Sequence, residues 1–196
     1  MHSPPAPSPT FYFDLGSPFA YLTSERIAAV LGEHVWWQPV SLGALFKLAG
    51  RSSWSLGDPD RRRAGIAEVE RRAAAYGLPP VRWPDPWPSD YLFAMRACTY
   101  AFEQGRGREF ALDAFRAAFR QGRDLGVPEH VLAVAGEVGL DPRAVENATG
   151  DPAVKTALRA ATDGAHGRGV FGVPTVVVGG ELYWGDDRLD EAAAVR

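Results

Sequence analysis

The chain has 196 residues, 46% hydrophobic and 23% charged, the proportions of a folded domain that buries its own core without disulfide or metal staples. A formal charge of −3 lacks the basic excess of a general nucleic-acid binder, and no apolar run approaches the roughly 20 residues that cross a bilayer. The single cysteine, Cys98, excludes an intrachain disulfide and a cysteine-based metal cluster, and fits a cytoplasmic protein.

Residues 1–10 hold four prolines and no basic, apolar signal core, so a disordered tail is expected rather than a signal peptide. Phe11-Tyr12-Phe13 is an aromatic strand signal, broken by Asp14-Leu15-Gly16. Ser17-Pro18 then opens a helix: serine suits the N-cap and proline the first helical position, where no N–H is needed. Phe19, Leu22, Ile27, Val30 and Leu31 give it an apolar face that ends near Gly32, and Val35 to Val40 reads as a second strand. A strand–helix–strand unit of this kind makes its two strands parallel.

The middle of the chain is rich in Ala, Arg, Glu and Leu, and helices are expected near 60–76, 89–104, 108–122, 128–138 and 152–166. Interleaved arginines and carboxylates over 58–72 describe a solvated helix face. Strand chemistry returns with Thr175 to Val178, a Gly179-Gly180 turn and Glu181 to Trp184, a hairpin; Asp186 to Val195 closes the chain as a helix. The order is βαβ, a helical block, then ββα: an α/β fold with a small mixed sheet and most of its helical mass inserted between the two halves.

Two distant segments carry the chemistry. Ser17 lies at a helix N-terminus, where free N–H groups and the positive end of the dipole favour an anion. A hydroxyl there either caps its helix or donates to a bound thiolate and lowers that thiol's pKa; both readings stand. Pro174, after Val173 and before a β-branched run, is either an ordinary strand start or a cis turn that leaves Val173's backbone groups free to pair with an extended ligand. Trp54, Trp83 and Trp87 suit either an aromatic cleft or packing under a loop. Cys98 shares a helical face with Leu92, Met95 and Phe102 and reads as a core thiol. The four histidines show no metal-ligand spacing, so no metal site is expected.

In combination, Phe-Tyr-Phe-Asp-x-x-Ser-Pro-x-x-Tyr from Phe11, Gly-Val-Phe-Gly-Val-Pro-Thr from Gly169 and Trp-Gly-x-Asp-Arg-Leu from Trp184 resemble the 2-hydroxychromene-2-carboxylate isomerases. These are relatives of kappa-class glutathione transferases and of the DsbA disulfide oxidoreductases. The stretch Pro39 to Lys47 shares the resemblance.

It implies a thioredoxin-like fold over 11–58 and 169–196 with a helical insertion over 59–168, and a glutathione-dependent isomerase of an aromatic or conjugated carboxylate. Ser17 would hydrogen-bond the glutathione sulfur, Val173, before a cis Pro174, would pair with the backbone of its cysteine, and Asp186 and Asp187 would bind its γ-glutamyl end. Lys47 and Asp90 would meet the organic substrate. Relatives of this kind commonly form homodimers. Arg51 where the family has asparagine, Asp90 where it has an amide, and Asp186 where it has a neutral polar residue are departures that bear on substrate and thiol. A transferase or thiol-dependent oxidoreductase, another low-molecular-weight thiol, and a non-catalytic binding module are the alternatives. Disulfide exchange is not among them, because Ser17-Pro18-Phe19-Ala20 occupies the Cys-x-x-Cys position.

Overall fold

The computed structural model describes residues 8–195. Four strands form one sheet in the order β2-β1-β3-β4: β1 (Thr10–Phe13), β2 (Trp36–Pro39), β3 (Thr175–Val178) and β4 (Glu181–Trp184). Helix α1 (Pro18–Leu31) crosses from β1 to β2 and makes them parallel, with Phe11 opposite Trp37 and Phe13 opposite Pro39. β3 comes back antiparallel to β1, with Phe11 opposite Val176, and β4 turns antiparallel onto β3. The hairpin turn places Gly179 and Gly180 at φ 60° and 92°, the left-handed region that glycine enters without steric cost.

Between β2 and β3 the chain builds α2 (Leu42–Leu48), α3 (Pro59–Ala75), α4 (Leu92–Glu103), α5 (Gly107–Gln121), α6 (Pro128–Glu137), α7 (Pro142–Gly150) and α8 (Pro152–Gly167). A 3₁₀ turn at Asp186–Arg188 leads into α9 (Leu189–Ala194).

The inserted helices share a core with the sheet. Strand pleating sends Phe11 and Phe13 to one face. There the Phe13 ring lies 6.3 Å from Phe102 of α4 and 5.8 Å from Phe115 of α5, and Trp37 meets Phe11 edge-on at 5.0 Å. Tyr12 points the other way and packs with Val40, Leu45 of α2, Ala165 of α8 and Val173. Both faces of the sheet are thus partly covered, and the loops at the carboxyl ends of β1 and β2 meet the loop that precedes β3.

The structure corrects several expected boundaries. Residues 1–7 of the expected tail lie outside the described residues, whereas Thr10 belongs to β1 and pairs with Trp36 and Val177. Helix α7 was not expected. Its apolar face is short, essentially Val145 and Ala148, yet it opens with Asp141-Pro142, the cap-plus-proline signal that also opens α8 at Asp151-Pro152. Asp141 and Asp151 each accept the amide two residues on, at 3.0 and 2.7 Å. Caps of this kind stabilise a helix by about 1 kcal/mol, enough to matter for a nine-residue helix that propensity alone would not hold.

Candidate functional site

A cavity of about 590 Å³ opens where the β1–α1, β2–α2 and α8–β3 connections converge, with the start of α4 forming a further wall. Its volume is that of a small-molecule site.

Ser17 lines it and is 4% exposed. The serine sits in extended backbone before Pro18, its amide donates to the Asp14 carbonyl at 3.0 Å, and its Oγ accepts the Ala20 amide at 3.2 Å. Capping is therefore real. It uses the oxygen as an acceptor and leaves the hydroxyl proton to donate into the cavity, so the two readings of Ser17 are compatible.

The Val173–Pro174 peptide is cis, and Val173 lines the same cavity. Two hydrogen bonds hold this loop: Thr175 Oγ1 donates to the Gly172 carbonyl at 2.7 Å, and the Gly185 amide donates to the Pro174 carbonyl at 2.9 Å. Among the described residues, the backbone N–H and C=O of Val173 have no partner.

Asp14 is a lining residue that sequence reasoning missed, since it reads there as part of a strand break. It is 6% exposed, with Oδ1 accepting the Gly16 amide at 2.8 Å and Oδ2 accepting the Leu42 amide at 2.7 Å. Burial pushes its carboxyl from 3.8 to about 6, against the opposing pull of those two amides. No local spacing signals this role, because Leu42 lies 28 residues away.

Tyr91 was missed as well. Its ring lies so close over Gly16 that a Cβ there would stand 2.4 Å from it, and burial pushes its hydroxyl well above the usual range. Met95 completes this wall, its Sδ accepting the Leu15 amide at 3.2 Å.

The tryptophans divide between the two roles considered for them. Trp54 and Trp87 line the cavity with ring centroids 5.4 Å apart, and Trp83 packs behind Trp87 with ring centroids 4.7 Å apart and planes tilted by 59°. Phe19 of α1 meets Trp54 at 5.9 Å, and Gly65 of α3 makes room for the Trp54 ring. Trp87 Nε1 donates to the Gly16 carbonyl at 3.4 Å, and Arg62 donates to the Trp87 carbonyl. The result is an aromatic wall built from three elements.

Of the remaining residues expected at the site, Asp90 lines the cavity, with Oδ1 accepting the Leu92 amide at 2.9 Å as α4 begins. Lys47 does not line it; its side chain is exposed on α2, while Ser41, Leu42, Gly43, Ala44 and Phe46 supply that wall.

Asp186 does not reach the cavity either. It is 1% exposed, with Oδ1 2.8 Å from Arg72 and Oδ2 accepting the Tyr76 hydroxyl at 2.9 Å. Each carboxylate oxygen is thus bound to α3, and the pair ties that helix to the start of the last helical segment. Burial still pushes its carboxyl upward against the attraction of Arg72. Asp187 beside it is half exposed and lies 3.2 Å from the same guanidinium. Cys98 is buried in the core, and burial pushes its thiol up. No group of three or more His, Cys, Asp or Glu among the described residues is placed to hold a metal ion, and no described helix is long and apolar enough to cross a membrane.

The arrangement offers a helix N-terminus with a hydroxyl donor, an open pair of backbone groups on a cis-proline loop, and an aromatic chamber beside them. Comparison with known proteins agrees with it. Residues 10–195 match the model of the DsbA-like thioredoxin domain. A 2-hydroxychromene-2-carboxylate isomerase of Sphingobium xenophagum is 30% identical over 190 residues, spanning 92% of this chain and 93% of that protein. A solved structure of a 2-hydroxychromene-2-carboxylate isomerase superposes with a TM-score of 0.83 at 24% identity, covering 96% of this chain and 94% of the other. The cytosolic disulfide reductase DsbM of Pseudomonas aeruginosa, solved with GSH, shares the fold at a TM-score of 0.66 and 16% identity, with 96% of each chain covered. The family-model match over residues 10–195 and the relative 30% identical over 92% of the chain place it in the DsbA-like thioredoxin family and, within it, among the 2-hydroxychromene-2-carboxylate isomerases.

Proposed function

We propose that the chain is a glutathione-dependent isomerase that binds the thiol between Ser17 and Val173 and an aromatic or conjugated carboxylate against Trp54 and Trp87. The observation that carries this reading is the position of Ser17, whose oxygen caps α1 while its proton is left for an acceptor in the cavity. The site suits a small peptide thiol on two counts. Val173 presents an unpaired N–H and C=O to an extended backbone, and the N-terminus of the fourteen-residue α1 faces the position of an anion.

Once bound, the thiol supplies a nucleophilic sulfur that adds reversibly to a conjugated double bond and so permits rotation about it. The chain's own residues hold that sulfur as the anion. Ser17 donates a hydrogen bond to it, and the dipole of α1 lowers the cost of its charge. Trp54, Trp87 and Phe19 exclude water and orient a planar substrate over it. Asp14 lines the same cavity, and with its carboxyl pushed up to about 6 it stays partly protonated at mildly acidic pH, which limits repulsion of a neighbouring thiolate. Asp187, half exposed at the start of the last helical segment, is the carboxylate available for an ammonium group.

The test is turnover of 2-hydroxychromene-2-carboxylate, followed by absorbance with and without glutathione, while free thiol is assayed in parallel. The expected result is isomerisation that needs glutathione and leaves its concentration constant. A rate independent of any thiol overturns the reading. Stoichiometric loss of thiol replaces it with a transferase.

A further inference from the structure

No cationic side chain lines the cavity described above. Its charged lining residues are Asp14 and Asp90, both acidic, so an anionic substrate entering it meets no opposite charge on the walls. Arg51 adjoins this lining, its guanidinium lying over the ring of Trp184. Its amide donates to the Phe46 carbonyl at 2.9 Å across Gly50, whose φ of 62° closes the end of α2 and fixes where the arginine leaves the helix.

From there the guanidinium carbon lies 4.9 Å from the centre of the Phe171 ring and 5.3 Å from that of Trp184. Those two rings are 4.9 Å apart, and Trp184 lines the cavity with its indole nitrogen directly over Gly172, where a Cβ would stand 2.9 Å from it. The two rings therefore form a platform on the cis-proline loop, and the arginine rests on it.

A guanidinium held over aromatic rings by cation–π attraction spends none of its N–H donors on them and keeps them for a planar oxyanion. No carboxylate among the described residues pairs with Arg51. This differs from Arg72, held by Asp186 and Glu68, and from Arg116 and Arg120, held by Glu25. A positioned and unpaired guanidinium at the mouth of an acidic, aromatic chamber is a receptor for a carboxylate whose apolar body lies inside.

We propose that Arg51 binds the carboxylate of the ligand that fills this cavity and so sets the site's preference for aromatic acids over their neutral analogues. This rests on the function proposed above for the choice of ligand, though not for the geometry. Two carboxylates share the chemistry, that of the organic substrate and that of the thiol.

The experiment titrates 2-naphthoate and 2-naphthamide into the wild-type protein and Arg51→Gln by calorimetry, with glutathione and its glycyl ethyl ester as a second pair. Wild-type protein is expected to bind the naphthoate roughly tenfold or more tightly than the amide, the scale of one charge-assisted bidentate contact. Arg51→Gln is expected to erase that preference while leaving the amide's affinity unchanged, which also shows that the cavity is intact. A loss confined to glutathione, absent for its ester, assigns the carboxylate to the thiol. A wild-type protein that fails to distinguish acid from neutral analogue in either pair, or a preference that survives Arg51→Gln, overturns the proposal. Arg51-dependent binding in a protein that turns over no chromene would sink the isomerase reading and leave this one standing.

Discussion

The carboxylate of Asp14 accepts the amide of Leu42 at 2.7 Å, and this contact joins the β1–α1 turn to the first residue of α2 across the floor of the cavity. Its other oxygen holds Gly16, so one buried side chain sets the relative position of the loop that carries Ser17 and the helix opposite it. Asp14→Asn presents an amide NH₂ to one of the two backbone donors and leaves that donor unsatisfied. A protonated Asp14 carboxyl, with its own O–H, has the same shortfall, so the variant should match the wild type in stability below about pH 3.8.

The same residue carries a pH dependence. Because burial raises its carboxyl from 3.8 to about 6, the folded state binds the proton more tightly than the unfolded chain. Its contribution is complete below about 3.8 and is lost as pH rises through about 6. Asp14→Asn therefore removes a decline in stability between these values. Urea denaturation of both proteins from pH 4 to 7 should show their midpoints diverging as pH rises, the wild type falling below the variant, and parallel curves would refute it.

Ser17→Ala deletes the acceptor for the Ala20 amide and should destabilise the protein by about 1 kcal/mol, the usual worth of an N-cap. In the proposed function it should also raise the pKa of bound glutathione, read as thiolate absorbance in an ultraviolet titration. Ser17→Asn, which keeps a cap acceptor, separates the two effects. Stability should recover while any change in thiol pKa follows the replaced hydroxyl.

Asp186 and Asp187 are adjacent in sequence and unlike in environment. Asp186→Ala leaves the Tyr76 hydroxyl without its buried acceptor and Arg72 with only Glu68 and Asp187, and a loss of about 1–3 kcal/mol is expected. Asp187→Ala removes a half-exposed contact with the same arginine and should cost about 0–1 kcal/mol. Chemical denaturation of the two variants should separate them clearly. If Asp187 takes the ammonium of the thiol, its variant should instead weaken glutathione binding at nearly unchanged stability.

Gly16→Ala should act on the substrate side of the cavity. Its backbone is not strained, but the new methyl would meet the Tyr91 ring at 2.4 Å, so the ring must move. The expected outcome is overpacking of about 1–3 kcal/mol and a raised KM for the aromatic substrate, with tyrosine displacement visible in a crystal structure.

Much of the frame was legible one residue at a time. The strand–helix–strand opening, the glycine hairpin and the Asp-Pro helix starts are local devices, each set by backbone chemistry within about five residues, so periodicity and caps reveal them. Even α7 announced itself by Asp141-Pro142, and was passed over because its apolar face is too short for a periodic signal. Ser17 was also legible, since a Ser-Pro helix start after a strand is a local pattern with a local consequence.

What tertiary structure alone decided is which side chains share the cavity. Asp14 depends on an amide 28 residues away, the Tyr91 ring on the missing side chain of Gly16, and the platform under Arg51 on Phe171 and Trp184 far along the chain. Asp186 shows the same principle in reverse, a residue marked by its motif as a ligand contact and taken by Arg72 of α3 as a structural partner. Sequence spacing reports neighbours along the backbone. Burial, unpaired donors and shifted carboxyls arise from neighbours through space, and only packing the helical block onto the sheet brings those together.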